Sequence, residues 1–168
     1  NVATCTDVSQ TRIGNSSTIW IGAYAEWTNI SDGRFKKNIK SDVPGLAFIN
    51  KLRPVTYQLD VSGLSAFLNE GRGHELNQPM RDAIATKEQL VYSGFLAQEV
   101  EAAARSVGYD FNGVDAPRND MSLYGLRYAL FVVPLVKAVQ ELQLKVETLK
   151  RENTSLQEIE ASLTELKK

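Results

Sequence analysis

The stretch LVKAVQELQLKVETLKRENTSLQEIEASLTELKK, residues 135–168, decides how this chain is organised. Leucine returns every seventh residue, at Leu135, Leu142, Leu149, Leu156 and Leu163, while Val132, Val139, Val146, Asn153 and Glu160 each stand three places earlier. These are the d and a positions of a heptad repeat, sustained for long enough to predict a coiled-coil helix. At ~1.5 Å per residue, residues 135–166 would run roughly 48 Å, too far to lie on a core of the size this chain can build. Six basic and six acidic side chains balance along it, as on a solvated exterior. The expectation is self-association through Leu135, Val139, Leu142, Val146, Leu149, Asn153, Leu156 and Leu163. Valine at a, leucine at d and one asparagine satisfy the rule for two strands. Against that, Val136 at e and Ile159 and Leu166 at g widen the apolar stripe, and Lys145 at g would face Lys150 at e of a parallel neighbour. The wider stripe suits three chains, so the expectation is a parallel homotrimer. A DNA-binding zipper is excluded, because APRNDMSLYGLRYALFVV ahead of the repeat holds only Arg118 and Arg127 and contains Pro117.

The rest of the 168 residues is enough for one ordinary core. A net charge of −1, from 19 basic and 20 acidic side chains, supplies no field to draw the chain onto nucleic acid or an anionic membrane. The longest apolar run, residues 128–136, is about half a membrane span and contains Pro134. One cysteine (Cys5) and one histidine (His74) cannot form a disulfide framework, a Cys/His zinc site or a Cys/His nucleophile pair, so no metal and no cofactor is expected. His74, between Gly73 and Glu75, reads as a loop residue. Asn1 follows no signal-peptide pattern, and the chain reads as the C-terminal piece of something longer.

Upstream of the heptads the composition changes twice. Residues 1–30 are rich in Thr, Ser, Asn, Gly and Ile, and residues 18–27 alternate, with Ile19, Ile21, Ala23, Ala25 and Trp27 on one face and Trp20, Gly22, Tyr24 and Glu26 on the other. A strand with aromatics on both faces needs neighbours that thirty residues cannot supply, so this part is expected to end a larger β structure or to pair with copies of itself. Residues 31–132 read as a mixed α/β unit. In it, Asp42-Val43-Pro44 caps a short helix that turns Leu46, Ile49 and Leu52 inward, PVTYQLD and LVYSGFLA are strands, and AQEVEAAARSVG is a helix stopped at Gly108. Residues 64–89 hold GRGH and a proline-initiated helix and read as a surface excursion. The fold class is therefore α+β: residues 1–30 a β-stalk segment, 31–132 a small mixed unit, 133–168 a coiled-coil helix.

With a single histidine, a serine nucleophile would need another base, and a lysine serves if it loses its proton near neutral pH. SDGRFKK sets Ser31 five residues before Lys36 across an Asp-Gly turn that can fold the two side chains together. Taken alone, the pattern is equally that of an ordinary turn followed by a basic surface strand. Glu99 and Glu101 make no carboxylate pair at a usable spacing, and Gly71 and Gly73 lack the helix and lysine of a phosphate loop.

Four segments in order, ISDGRFKKNIK, LAFINKLRPVTYQLD, YSGFLAQEVEAAA and YGLRYALFVVPLVKAVQEL, resemble the intramolecular chaperone domain of endosialidases and phage tail spikes, which is also classed as a self-cleaving peptidase. The resemblance spans residues 31–168 and is weakest over 64–89. It implies a homotrimeric C-terminal module that assists folding of a β-rich tail fibre or spike, made of its own upstream chain, and then cuts itself off before a serine. Carried over by residue, the nucleophile is Ser31, the base Lys36, the scissile bond Ile30–Ser31, and Asp32 a supporting acid. Desolvation and the like charges of Arg34 and Lys37 would favour the neutral amine. The location implied is a virion tail fibre or spike, or a bacterial surface, with the cleaved fragment released. Two alternatives stand beside it: a structural trimerisation module that never cleaves, and a glycan-binding fibre tip using Trp20, Tyr24 and Trp27.

Overall fold

Ring contacts organise one half of the structure and a single turn of helix locks it. In the computed structural model, which describes residues 11, 13–68 and 77–166, the chain forms two compact units. One comprises residues up to Ile39, Arg53–Glu99 and Val114–Leu126; the other comprises Lys40–Leu52, Val100–Gly113 and Arg127–Lys168.

In the second unit, α1 (Leu46–Ile49) lies against α5 (Val132–Leu166). Phe48, with no exposed surface, sits among Tyr109, Phe111 and Phe131, with ring centroids 5.4, 5.0 and 6.5 Å away. Such edge-on, tilted and stacked ring pairs add about 0.5–1.5 kcal/mol each beyond the area they bury. Leu46, Ile49 and Leu52, expected to point inward, are only half-buried. One turn of helix cannot sustain a periodic stripe, so the aromatic cluster decides what is covered. The expected cap is also corrected. The N-cap of α1 is Gly45, without a side-chain bond of its own, and the Leu46 amide instead donates to Glu141 Oε2 of α5 at 2.8 Å. Gly45 allows this approach, because a Cβ there would stand 2.6 Å from the Ala138 nitrogen and 2.7 Å from the Lys137 carbonyl carbon.

Residues 134, 138 and 141 make the face of α5 that meets its own unit, with Pro134 and Ala138 buried. The a and d residues lie about 100° round the helix from that face. From residue 142 to 166 every residue is exposed, including Leu142 (49%), Leu149 (62%), Leu156 (59%) and Leu163 (51%). Of the remaining expected oligomerisation residues, Leu135, Val139, Val146 and Asn153 are exposed too. The long helix fits a coiled coil, and no helix among the described residues is long and apolar enough to cross a membrane.

In the first unit, β1 (Val55–Tyr57) pairs antiparallel with β2 (Tyr92–Gly94), so that Tyr57 stands opposite Tyr92 and their rings stack at 5.8 Å. Arg53 and Glu99 form an ion pair. The guanidinium holds the Glu99 carboxyl below its ordinary pKa. The expected surface excursion, residues 64–89, takes in the end of α2 (Val61–Phe67) and all of α3 (Gln78–Glu88), helices tied where Glu88 Oε1 accepts from the Ser62 amide (2.8 Å) and hydroxyl (2.7 Å). Pro79 stands in the first turn of α3, as expected, and Asn77 caps it. GRGH, including His74, lies outside the described residues, as does Cys5. A second ladder pairs β3 (Val114–Asp115) with β4 (Gly125–Leu126). The expected helix of AQEVEAAARSVG is α4 (Ala97–Ser106), with Gly108 just beyond at φ +67.

Residues 18–27 form no strand in the single chain. Trp20 is 78% and Trp27 80% exposed, with Ile19 and Ile21 also uncovered. A ladder needs a second strand beside it, and among the described residues none lies there.

Gly45→Ala is expected to destabilise the chain by about 1–3 kcal/mol in denaturant unfolding, the range for overfilled sites. Because the clash is with main chain, adding Ala138→Gly should not relieve it.

Candidate functional site

The candidate site is the turn from Ser31 to Lys36 in the first unit. Asp32 has extended backbone (φ −69, ψ 121) and N-caps a single 3-10 turn, Gly33–Phe35, its carboxylate accepting from the Arg34 amide at 2.9 Å. The turn closes by main-chain bonds from the Phe35 amide to the Asp32 carbonyl and from the Lys36 amide to the Gly33 carbonyl, both 3.1 Å. Ser31 and Lys36 therefore flank one tight turn, and Lys36 Nζ donates to Ser31 Oγ at 2.7 Å. Both residues are exposed, and Ile30, on the other side of the expected scissile bond, is 93% exposed.

Two sequence expectations about this turn are corrected. Gly33 does not take the left-handed conformation that an Asp-Gly hairpin turn requires, and a Cβ there would meet nothing within 4 Å. Capping by Asp32, rather than glycine's freedom, bends the chain. Arg34 was expected to bear on Lys36 as a like charge. Its guanidinium instead grips Asp32, with Nε 3.1 and 3.0 Å from the two carboxylate oxygens and Nη2 2.6 Å from Oδ2. That side-chain bond, with the Arg34 amide next in size, holds the Asp32 carboxyl below its ordinary pKa of 3.8. Arg34 is thus a turn-locking residue that the sequence reading assigned another part. The N-cap preference of Asp, with a basic residue two places on, was the signal available. The run beyond it is no strand either: Asn38 adopts φ 53 in the left-handed region that asparagine tolerates.

Chemically, a serine hydroxyl at 2.7 Å from an amine is the arrangement of a nucleophile and its base, with the proton transferable once the amine is neutral. Among the described residues no three His, Cys, Asp or Glu side chains are grouped to hold a metal ion.

Residues 31–109 match the family Peptidase_S74, chaperone of endosialidase. That match coincides with the intramolecular chaperone domain to which the sequence pointed, and it begins at Ser31 itself. No curated protein and no solved structure matches the chain.

Carbon-detected titration of the Asp32 carboxyl should place it below the ordinary carboxylate range, and Arg34→Ala should return it upward. Since the folded pKa is the lower one, whatever Asp32 contributes to the turn is present above the ordinary value near 3.8 and is lost as pH falls through the lowered one. Gly33→Ala should leave the turn's amide shifts in place.

Proposed function

We propose that this chain is a C-terminal intramolecular chaperone that brings three copies of a β-rich tail fibre or spike into register and then releases itself by cutting before Ser31. The observation that carries this reading is the 2.7 Å contact between Ser31 and Lys36, at the residue where the family match begins. Bringing three chains into register costs loop and ordering entropy before contacts offset it. A helix with its a and d residues uncovered can associate first and hold the upstream ends at about millimolar effective concentration. The exposed Ile19, Trp20, Ile21 and Trp27 then meet their counterparts without a diffusional search. Removal of the chaperone deletes the template for the reverse path, leaving the fibre held by a rate of unfolding.

The cleavage step balances with the residues of the turn and one water. Neutral Lys36 takes the proton from Ser31 Oγ, which bonds to the Ile30 carbonyl carbon and closes a five-membered ring with the Ser31 main chain. Collapse breaks the bond between that carbon and the Ser31 nitrogen, which receives the proton from Lys36 Nζ. The product is an ester of Ile30 on Ser31 Oγ. Hydrolysis of the ester leaves a carboxylate on Ile30 and a free amino terminus on Ser31. Asp32 and Arg34 take no proton and hold the turn.

A second reading, a trimerisation module that never cleaves, is favoured by the exposure of both Ser31 and Lys36, since a lysine base is ordinarily desolvated. Mass spectrometry of the chain attached to its upstream fibre, incubated over a pH series, separates the two. Ser31→Ala, Lys36→Ala and Lys36→Arg should each abolish a cut at Ile30–Ser31 while leaving the oligomer intact; arginine cannot release its proton at usable pH. Cutting at another bond, or continued cutting in Lys36→Arg, would refute the pair, and an uncut wild type leaves the structural module. Sedimentation should give three chains per particle at micromolar concentration; two would favour the two-stranded heptad rule.

A further inference from the structure

Upstream of Ser31, exposure is interrupted at one place. Among the described residues before Ser31, residues 14–18 alone are covered, and Ser16 is 7% exposed; residues 19–30 are exposed throughout. The covered residues form a built turn. Gly14 takes φ +88, the Thr18 amide donates to the Asn15 carbonyl at 3.0 Å, the Asn15 amide donates to Thr18 Oγ1 at 3.0 Å, and Asn15 Oδ1 accepts from the Ser17 amide (3.2 Å) and hydroxyl (2.8 Å). Lys87 Nζ donates to the carbonyls of Ser16 and Thr18 in this turn at 3.1 and 3.0 Å. Lys87 is half-buried in the last turn of α3, where a cation also complements the negative end of the helix dipole. The last turn of α3, within residues 64–89 that read from sequence as a surface excursion, thus meets the chain on the far side of the proposed scissile bond.

We propose that Lys87 is a docking point for the upstream chain, gripping the main-chain carbonyls of Ser16 and Thr18 so that the segment ending at Ile30 stays on its unit through cleavage and after it. The inference rests on the reading of Ile30–Ser31 as the scissile bond for its consequence, though not for the dock itself. Because the ammonium reads carbonyl oxygens and a turn shape, the grip needs no particular side chain at 16. It places the hold 12 residues before Ile30, outside the reacting peptide, so breaking that peptide removes none of its bonds. Cutting and letting go become separate events. Loss of the covalent link leaves a charge-dipole contact whose lifetime sets when the chaperone departs. Lys87 touches neither Ser31 nor Lys36 in this arrangement and is a positioning residue.

The test uses the full chain in two forms. In Ser31→Ala, which cannot cut, hydrogen exchange of the Thr18 amide, bonded within the turn that Lys87 holds, reads the dock. Lys87→Met should speed it about tenfold or more, the factor that a charged hydrogen bond of this class carries, whereas Lys87→Arg should retain most of the protection. The Ser62 amide, bonded to Glu88, is the internal control: it should be unchanged, and if α3 is disturbed by methionine, Lys87→Gln decides on the same readout. Unchanged Thr18 exchange with the control intact overturns the dock. In the cleavable chain, native mass spectrometry should find the fragment ending at Ile30 still bound after cutting, and shed faster in Lys87→Met. Equal shedding overturns the retention role. A wild type that never cuts refutes the reading of Ser31 and Lys36, and the exchange experiment still decides the dock.

Discussion

A helix of four residues cannot satisfy its own first amides, and α1 is such a helix. The Leu46 amide finds its acceptor on Glu141, 95 residues away, and can reach it only because Gly45 carries no side chain where α5 passes. This contact fixes α5 through residues 134, 138 and 141 and closes the lid over Phe48. It also decides which face of the long helix remains. The a and d stripe, about a quarter turn away, is left without a partner inside its own unit. A helix whose last 25 residues are all exposed draws little stability from its own chain, since isolated helices owe most of theirs to tertiary contacts. That this stripe is open to the proposed association follows from the geometry of that docking as much as from the leucines.

The same economy of contacts shapes the candidate site. One carboxylate, Asp32, caps a 3-10 turn with one oxygen and binds Arg34 with both. An exposed pair of this kind contributes little to global stability, yet it acts on a turn whose ends carry the serine and lysine. Lys87 works similarly on the turn at residues 14–18. In both places a single charge organises main chain, in one turn that begins next to Ser31 and in another that ends 12 residues before Ile30.

How far the sequence speaks for itself differs by element. Period seven in residues 135–166 is a local property, so the long helix was legible to within a few residues of its observed start at Val132. Proline at the start of α3, and Gly108 after α4, act within one turn and were legible too. Phe48 was not, because its burial depends on Phe111 and Phe131 meeting it from far along the chain. Asp42 looked like a cap on local grounds, but the amide it would have served is closer to Glu141, and no pattern in residues 42–52 announces that. The alternation in residues 18–27 states a preference that one chain cannot act on. At the site, spacing and family resemblance single out Ser31 and Lys36, and the structure places the two side chains 2.7 Å apart. The part of Arg34 was misread because charge was counted without its pairing partner, and Lys87 carries no motif at all.

The two faces of α5 impose a rule of counting on this chain. Near its start the helix obeys a contact with α1 that fixes its rotation, and farther on it obeys a seven-residue repeat. The two must agree in phase. Adding one residue after Glu141 would turn everything beyond by about 100° relative to the α1 contact, swinging the stripe out of line with that contact although every side chain is still present. Adding seven would turn it by almost nothing. Length in this helix is therefore free to drift only in whole heptads, and the number of residues between Glu141 and Leu149 is as much a part of the design as their identity.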